Sequence, residues 1–158
     1  MRDSMKTQAQ RAEAFRALHA RPGAFIIPNP WDAGTAKLLA SLGFEALATT
    51  SLGLSNMLGR VDGTMTVSRA EVLDNCRAIA EATDLPVSAD LENCYAHEPR
   101  AAAEMIRLAA EAGVVGGSLS RLALAAFLRG AREMADKGAF SWMRDTVPSR
   151  ELKAAFKG

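Results

Sequence analysis

The chain has few of the residues that mark specialised classes of protein. Its two cysteines, Cys76 and Cys94, do not make a disulfide framework, and no histidine lies at zinc-ligand spacing from either of them. No apolar run is long enough to span a bilayer, and the first residues lack the apolar core of a signal peptide. These absences predict a cytoplasmic protein with no membrane partner.

An excess of charge of one sign is also lacking. The 158 residues include 19 Lys and Arg against 18 Asp and Glu, a net charge of +1. No basic cluster interleaves with aromatic residues, so nucleic acid is not an expected partner. With 49% apolar and 23% charged residues, the composition is that of an ordinary globular protein, and the length is that of one domain. We therefore expect residues 1–158 to form a single domain.

Short apolar segments alternate with helical patterns along the chain. The apolar segments begin near residues 24, 44, 86 and 114, and the first of them covers residues 24–28. The predicted helices cover residues 8–19, 33–42, 69–82, 99–112 and 120–137, and a long Ser/Gly/Asn loop is expected over residues 50–66. Nearly continuous apolar strands that alternate with helices indicate parallel βα units with both faces of the sheet buried.

Two predicted helix starts carry capping signals. Ser68 and Glu71 have the spacing of a capping box, in which each side chain satisfies an amide of the other residue. Asp32 precedes the helix that begins at Ala33 and is suited to cap it. Capping is therefore an alternative to any functional role for Asp32.

The stretch Pro86–Asn93 ends a predicted buried strand in acidic residues. Asp90 and Glu92 are two residues apart, so they leave the strand on the same side. In parallel βα units the functional loops leave the carboxyl ends of the strands, where these acids lie. Two carboxylates beside the Asn93 amide suit a Mg²⁺ ion that keeps most of its waters for a substrate. The alternative is an ordinary pair of solvated acids at a strand end.

Several segments together resemble the phosphoenolpyruvate mutase/isocitrate lyase superfamily, in its carboxyphosphonoenolpyruvate phosphonomutase-like branch. In chain order they are residues 28–33, 49–55, 59–63 and 89–93, and residues 124–134 resemble the C-terminal helix of the family. The resemblance implies a TIM-type (β/α)₈ barrel with Mg²⁺ as its cofactor. It also implies a lyase or phosphonomutase that makes or breaks a C–C or P–C bond beside the carbonyl of a small 2-oxo acid or its enolate.

The resemblance assigns site residues by position. It makes Asp90 the principal Mg²⁺ ligand, supported by Glu92 and Asp62. It assigns the carboxylate of a 2-oxo acid or phosphonate substrate to Thr50, Ser51, Leu52 and Gly53, with Trp31 and Asp32 at the mouth of the site. Without the resemblance, Asp62 beside a glycine would be read as a turn former.

The chain departs from this family in length. A (β/α)₈ barrel has eight βα units and typically about 250 residues, whereas the patterns here give four units. We therefore expect an incomplete barrel: an N-terminal helix and partial barrel over residues 8–118, followed by C-terminal helices over residues 119–158. An internal deletion would remove the lid with its catalytic residues, so the sequence names no catalytic nucleophile or acid.

A second departure lies in the predicted metal loop. Cys94 and Ala96 occupy positions at which relatives usually have glycine. Because a cysteine does not readily adopt the backbone angles open to glycine, we expect this loop to be distorted.

Two functions follow from these observations. The first is a Mg²⁺-dependent enzyme whose missing half comes from a partner subunit, since four parallel strands leave two open sheet edges. The second is a non-catalytic remnant that acts as an oligomerisation or anion-binding module, since the apolar helix over residues 120–137 has lost much of the barrel that would cover it. Both predict a homo-oligomer.

Overall fold

A computed structural model describes residues 5–64, 66–96 and 98–119. Within these ranges the helices are α1 (Gln8–Ala20), α2 (Ala33–Ser41), α3 (Ser51–Met57), α4 (Arg69–Ala82) and α5 (Pro99–Glu111), and the strands are β1 (Leu47–Ala48), β2 (Val87–Asp90) and β3 (Gly116–Ser118). The strands form one parallel sheet in the order β1-β2-β3. This confirms the α/β class with parallel βα units. The helices expected over residues 120–158 lie outside the described residues.

The strand expected over residues 24–28 is not formed. The Ala48 amide donates to the Pro28 carbonyl at 3.0 Å, which is one bond of a parallel ladder. The return bond to the Ala48 carbonyl would come from the amide two residues after Pro28. That residue is Pro30, which has no N–H, and the side-chain amide of Asn29 donates to Ala48 instead, at 3.0 Å. The expectation from the apolar run was wrong because a proline removes the bond that would extend the ladder.

The loop expected over residues 50–66 contains helix α3, so that expectation was also wrong. Thr50 is the N-cap, and its hydroxyl accepts a hydrogen bond from the Gly53 amide at 3.3 Å. Ser, Gly and Asn have lower helix propensities than Ala or Leu, so composition favoured a loop. The helix forms because it is capped and because it buries Leu54 and Ser55.

Helix α4 provides one of the apolar faces of the described core. Its buried residues recur at the spacing of one helix face: Val72, Cys76, Ile79 and Ala80. It packs against α2, α3, α5 and β2. On β2, the side chains of Val87 and Ala89 are at most 1% exposed, so the central strand is fixed against this helix.

Helix α1 lies at the end of the sheet where the strands begin and is held there by polar contacts. The Gln8 side-chain amide donates to the carbonyl of Ala110 at 2.6 Å and to that of Val114 at 2.9 Å. The Arg11 guanidinium donates to the Ala80 carbonyl in the last turn of α4 at 2.7 Å. The Ala80 and Ala110 carbonyls lie in the last turns of α4 and α5, where carbonyls lack the regular partner within the helix and such donors satisfy them. The candidate site lies at the opposite end of the strands.

The predicted capping box at the start of α4 is confirmed. The Ser68 hydroxyl accepts a bond from the Glu71 amide at 3.3 Å, and the Glu71 carboxylate accepts one from the Ser68 amide at 2.8 Å. The same carboxylate oxygen accepts a bond from Arg60 at 2.8 Å, and Arg60 also donates to the Thr66 carbonyl at 2.9 Å. One carboxylate therefore ties the loop that contains Asp62 to the start of α4.

This arrangement predicts a pH-dependent contribution to stability. Hydrogen bonds from Arg60 and from Ser68 lower the pKa of Glu71 from 4.5 to about 2. Because the folded pKa lies below the unfolded pKa, the stabilisation is present above pH 4.5 and is lost as the pH falls towards 2. We expect wild type to be more stable than Glu71→Gln at pH 6 and this difference to shrink between pH 4.5 and 2.

Urea unfolding at a series of pH values measures the difference. Glu81→Gln, at an exposed position near the end of the same helix, is the matched control and should show no such pH-dependent difference. A Glu71→Gln effect that stays constant across the pH range would contradict the assignment.

Candidate metal and carboxylate site

The segments that follow β1 and β2 meet at the carboxyl edge of the sheet. Strands β1 and β2 are parallel neighbours, with Ala48 opposite Ser88, so the residues that leave them are adjacent. The Ser51 amide donates to the carboxylate of Asp90 at 3.1 Å. The structure therefore brings together the predicted metal ligand and the predicted carboxylate-binding segment, which are 39 residues apart in the sequence.

Asp90 is held through both its backbone and its side chain. Its amide donates to the hydroxyl of Thr49 at 2.9 Å. Its two carboxylate oxygens accept from the amides of Ser51 at 3.1 Å and of Glu92 at 3.4 Å. A carboxylate has about four acceptor sites, so both oxygens retain lone pairs for a cation, and the residue is partly exposed.

Asp62 and Glu92 line one small cleft together with Ser55, Val67 and Tyr95. The Ser55 hydroxyl donates to Asp62 at 3.3 Å, and the Tyr95 side chain lies close to Glu92. Burial, followed by the negative charges of Glu92, Asp90 and Asp62, raises the pKa of Tyr95 above its ordinary value. The phenol therefore stays a neutral donor among the predicted metal-binding carboxylates.

Sequence reasoning did not identify Tyr95. The available signal was that Tyr95, the single tyrosine of the chain, follows Asp90 and Glu92 in a polar loop. A buried phenol hydroxyl usually finds a polar partner, and a nearby carboxylate is a suitable one.

The three carboxylates do not form a closed metal cage. Across residues 5–64, 66–96 and 98–119, no group of three or more His, Cys, Asp and Glu side chains is placed to hold a metal ion. Mg²⁺ is commonly held by only one or two carboxylates, with waters and substrate completing its shell. Asp90 and Glu92 supply such a donor set, with hard anionic oxygens two residues apart. The chemistry of the donors therefore fits a Mg²⁺ ion that keeps most of its waters.

The loop after β2 is left-handed at three non-glycine residues. The φ angles are +46° at Glu92, +60° at Cys94 and +50° at Tyr95. Left-handed angles cost roughly 1–2 kcal/mol for each residue with a Cβ atom. This confirms that Cys94 occupies a glycine-like backbone position, whereas Ala96 does not have a positive φ.

Several contacts hold this strained conformation. Cys94 is fully buried, its amide donates to the Leu91 carbonyl at 2.6 Å, and the Tyr95 amide donates to the Asn93 side chain at 2.9 Å. Burial also raises the pKa of the Cys94 thiol to about 11, so this thiol is protonated at neutral pH and suited to packing.

The segment Thr50–Gly53 forms the first turn of α3 with its cap. The Ser51 amide is bonded to Asp90 and the Gly53 amide to the Thr50 hydroxyl, while the Leu52 side chain is 54% exposed. A Cβ atom at Gly53 would lie 2.6 Å from Thr50 Cγ2 and 3.0 Å from Trp31 Cβ. Glycine therefore permits the close approach of Trp31 to this segment.

Asp32 and Trp31 lie at the start of α2. Asp32 caps the helix, accepting from the Thr35 amide at 2.7 Å and the Thr35 hydroxyl at 2.8 Å. These bonds lower the pKa of its carboxyl group. The Trp31 carbonyl accepts from the Asn75 side chain at 2.8 Å, and Trp31 is 48% exposed. The structure shows the capping role of Asp32, which was one of the two interpretations of the sequence.

Comparison with known proteins shows the relationship of this chain to one enzyme family. A family model described as phosphoenolpyruvate phosphomutase matches residues 15–135. A crystal structure of a candidate lyase/mutase from Burkholderia cenocepacia J2315 is 53% identical, with a TM-score of 0.71 over 79% of this chain and 50% of that chain. A candidate phosphonomutase from the same organism is 32% identical, with a TM-score of 0.72 over 83% of this chain and 56% of that chain.

A more distant structure shares the fold alone. Oxaloacetate acetylhydrolase, solved in complex with its product oxalate, is 23% identical with a TM-score of 0.66 over 78% of this chain and 50% of that chain.

The chain spans about half the length of these solved relatives. Its parallel sheet and helices correspond to part of their fold, which confirms the expected partial TIM-type barrel. In the part of the chain that the structure describes, no helix is long and apolar enough to cross a membrane. Because the family model covers most of its residues, this chain belongs to the phosphoenolpyruvate mutase/isocitrate lyase superfamily, in the family described as phosphoenolpyruvate phosphomutase.

Proposed function

We propose that this chain carries the Mg²⁺-binding and carboxylate-binding half of a cytoplasmic lyase or phosphonomutase. Its substrate would be a small 2-oxo acid, the corresponding phosphonate or their enolate, with a C–C or P–C bond made or broken beside the carbonyl. The observation that carries this proposal is the hydrogen bond from Ser51 to Asp90. It joins an anionic metal-ligand candidate directly to the segment that the family resemblance assigns to the substrate carboxylate.

In this proposal Asp90 and Glu92 hold Mg²⁺ directly or through water, and Asp62 supports them from across the cleft. A bound Mg²⁺ ion would polarise the substrate carbonyl and stabilise negative charge on its oxygen. The Tyr95 phenol lies beside Glu92. The Ser55 hydroxyl donates to Asp62 and restrains that carboxylate.

The substrate carboxylate would lie against the backbone and hydroxyl groups of residues 50–53, beside Trp31 and Asp32. The Ser51 amide already donates to Asp90, so the same bond fixes the distance between the metal-binding and carboxylate-binding elements. Such fixed placement is how a site favours one geometry of a bound carbonyl compound. Oxaloacetate acetylhydrolase, which has this fold, binds oxalate, a planar dicarboxylate that resembles the enolate of a 2-oxo acid.

We assign no catalytic nucleophile or acid to this chain. Solved relatives are about twice as long as the part that it matches, so turnover would need the other half of the barrel. A homo-oligomer in which a partner subunit supplies that half is part of the proposal.

A non-catalytic oligomerisation module is the second candidate. Its support is the exposure of large apolar side chains on the described surface, among them Ile26 and Val61 at 71% and Leu42 at 66%. An interaction surface would require such side chains to group into one patch. A chain that is oligomeric in solution but does not bind oxalate with Mg²⁺ would favour this candidate.

Oxalate binding with and without Mg²⁺ tests the proposed site. We expect Mg²⁺ to tighten oxalate binding to the wild-type chain by about tenfold or more, and Asp90→Asn to abolish this increase because the charged ligand is lost. Isothermal titration calorimetry measures both. Asp74→Asn, at an exposed position on α4, is the matched control and should bind as wild type does. Wild-type binding that Mg²⁺ does not change would contradict the proposal.

The left-handed backbone at Glu92 predicts that Glu92→Asn will stabilise the fold while it weakens Mg²⁺-dependent oxalate binding. Asn is tolerated in this conformation much better than Glu, so Glu92→Asn should raise the free energy of unfolding by up to about 1 kcal/mol. The lost charge should weaken the effect of Mg²⁺ on oxalate binding. Urea unfolding and calorimetry measure the two effects. Glu81→Asn, within helix α4, should instead destabilise the fold slightly. A less stable Glu92→Asn protein would show that strain at this residue is not significant.

A further inference from the structure

Thr49 is a buried polar residue with no role in the chemistry proposed above. It follows the last residue of β1 and is 5% exposed. A buried hydroxyl group destabilises a fold unless it is hydrogen-bonded, and valine would fill nearly the same volume without that requirement. The partners of the hydroxyl therefore indicate what it does.

The Thr49 hydroxyl extends the pairing of β1 and β2 beyond the end of β1. The Thr49 amide donates to the Ser88 carbonyl at 2.9 Å, in continuation of the parallel ladder. The Asp90 amide then donates to the Thr49 hydroxyl at 2.9 Å. Thus the side chain of Thr49 fixes the backbone of the residue that carries the principal metal-ligand candidate.

Asp90 is consequently held at two points by one short segment. Thr49 binds its amide and Ser51 binds its carboxylate, at 2.9 Å and 3.1 Å. Two bonds from residues on either side of Thr50 fix the position of the Asp90 side chain more narrowly than either bond does alone.

Cys76 of α4 lies beside Thr49 in the core. It is fully buried, and its thiol is a neighbour of the Thr49 side chain. Because Thr49 is buried and Asp90 is partly buried, water competes little with the hydrogen bond between them.

We propose that Thr49 is a positioning residue for Asp90, acting through the hydrogen bond that its hydroxyl accepts from the Asp90 amide. The expected effect of Thr49 on ligand binding rests on the proposed Mg²⁺ and carboxylate site. The expected effect of Thr49 on the Asp90 and Ser51 amides does not, because it can be measured in the ligand-free chain.

The test compares Thr49→Val, which removes the hydroxyl, with Thr49→Ser, which keeps it. Amide hydrogen exchange and ¹⁵N–¹H spectra report on the Asp90 and Ser51 amides of the ligand-free protein, and calorimetry reports oxalate binding with Mg²⁺. In Thr49→Val we expect exchange of the Asp90 amide to accelerate by about tenfold or more, the Ser51 signal to shift, and Mg²⁺-dependent oxalate binding to weaken by a similar factor. Thr49→Ser should recover most of each property.

Thr83→Val is the matched control. Thr83 is also a buried threonine whose hydroxyl accepts a backbone amide bond, from Leu85 at 2.9 Å, but it lies before β2 rather than after it. This variant should lose stability and leave the Asp90 and Ser51 amides and oxalate binding unchanged. If Thr49→Val does not fold, Thr49→Ala removes the same hydroxyl and replaces it in the comparison.

Each outcome decides the inference. Unchanged exchange and signals of the Asp90 and Ser51 amides in Thr49→Val would overturn it. Equal losses of amide protection and oxalate binding in Thr49→Val and Thr49→Ser would also overturn it, because packing of the methyl group rather than the hydroxyl would then be responsible. Equal perturbation by Thr83→Val would also overturn it. If wild type does not bind oxalate with Mg²⁺, the proposed function fails, while the two amides still show whether Thr49 positions Asp90.

Discussion

The hydrogen bond from the Ser51 amide to the Asp90 carboxylate connects the two candidate functional segments of the chain. It can form because parallel β1 and β2 end at the same edge of the sheet and because Thr50 begins a helix immediately after β1. The surrounding contacts support this geometry. Thr49 holds the Asp90 backbone, α4 packs against β2, and Glu71 ties the Asp62 loop to the start of α4 through Arg60.

Much of the fold was predictable from local sequence patterns, and the failures have identifiable causes. Ser68 and Glu71 act within four residues, so their capping box could be predicted from spacing alone. Asp90 and Glu92 could be placed at a strand end by the apolar run before them. No strand forms at residues 24–28 because Pro30 lies where an amide would have to donate to the Ala48 carbonyl. The sequence does not show which residue will pair with Ala48. Helix α3 depends on tertiary burial of Leu54, which propensity does not report.

The conformation of the predicted metal loop could be foreseen at one residue but not at two others. The family resemblance implied that Cys94 replaces a residue which is usually glycine, and its φ of +60° agrees. That Glu92 and Tyr95 are also left-handed could not be recognised, since neither residue prefers this conformation. Strained backbone of this kind is common at functional sites and is maintained by the structure around it. Here burial of Cys94 and the hydrogen bond from the Tyr95 amide to the Asn93 side chain maintain it.

The central claim is that a divalent cation binds where β2 opens into its acidic loop. Mn²⁺ is a paramagnetic substitute for Mg²⁺ and broadens the amide signals of nearby residues. In ¹⁵N–¹H spectra of the full chain, addition of Mn²⁺ should selectively broaden Ser51, Leu91 and Glu92, and excess Mg²⁺ should restore these signals. Broadening that is uniform, that centres on other acidic residues or that Mg²⁺ does not reverse would contradict the claim.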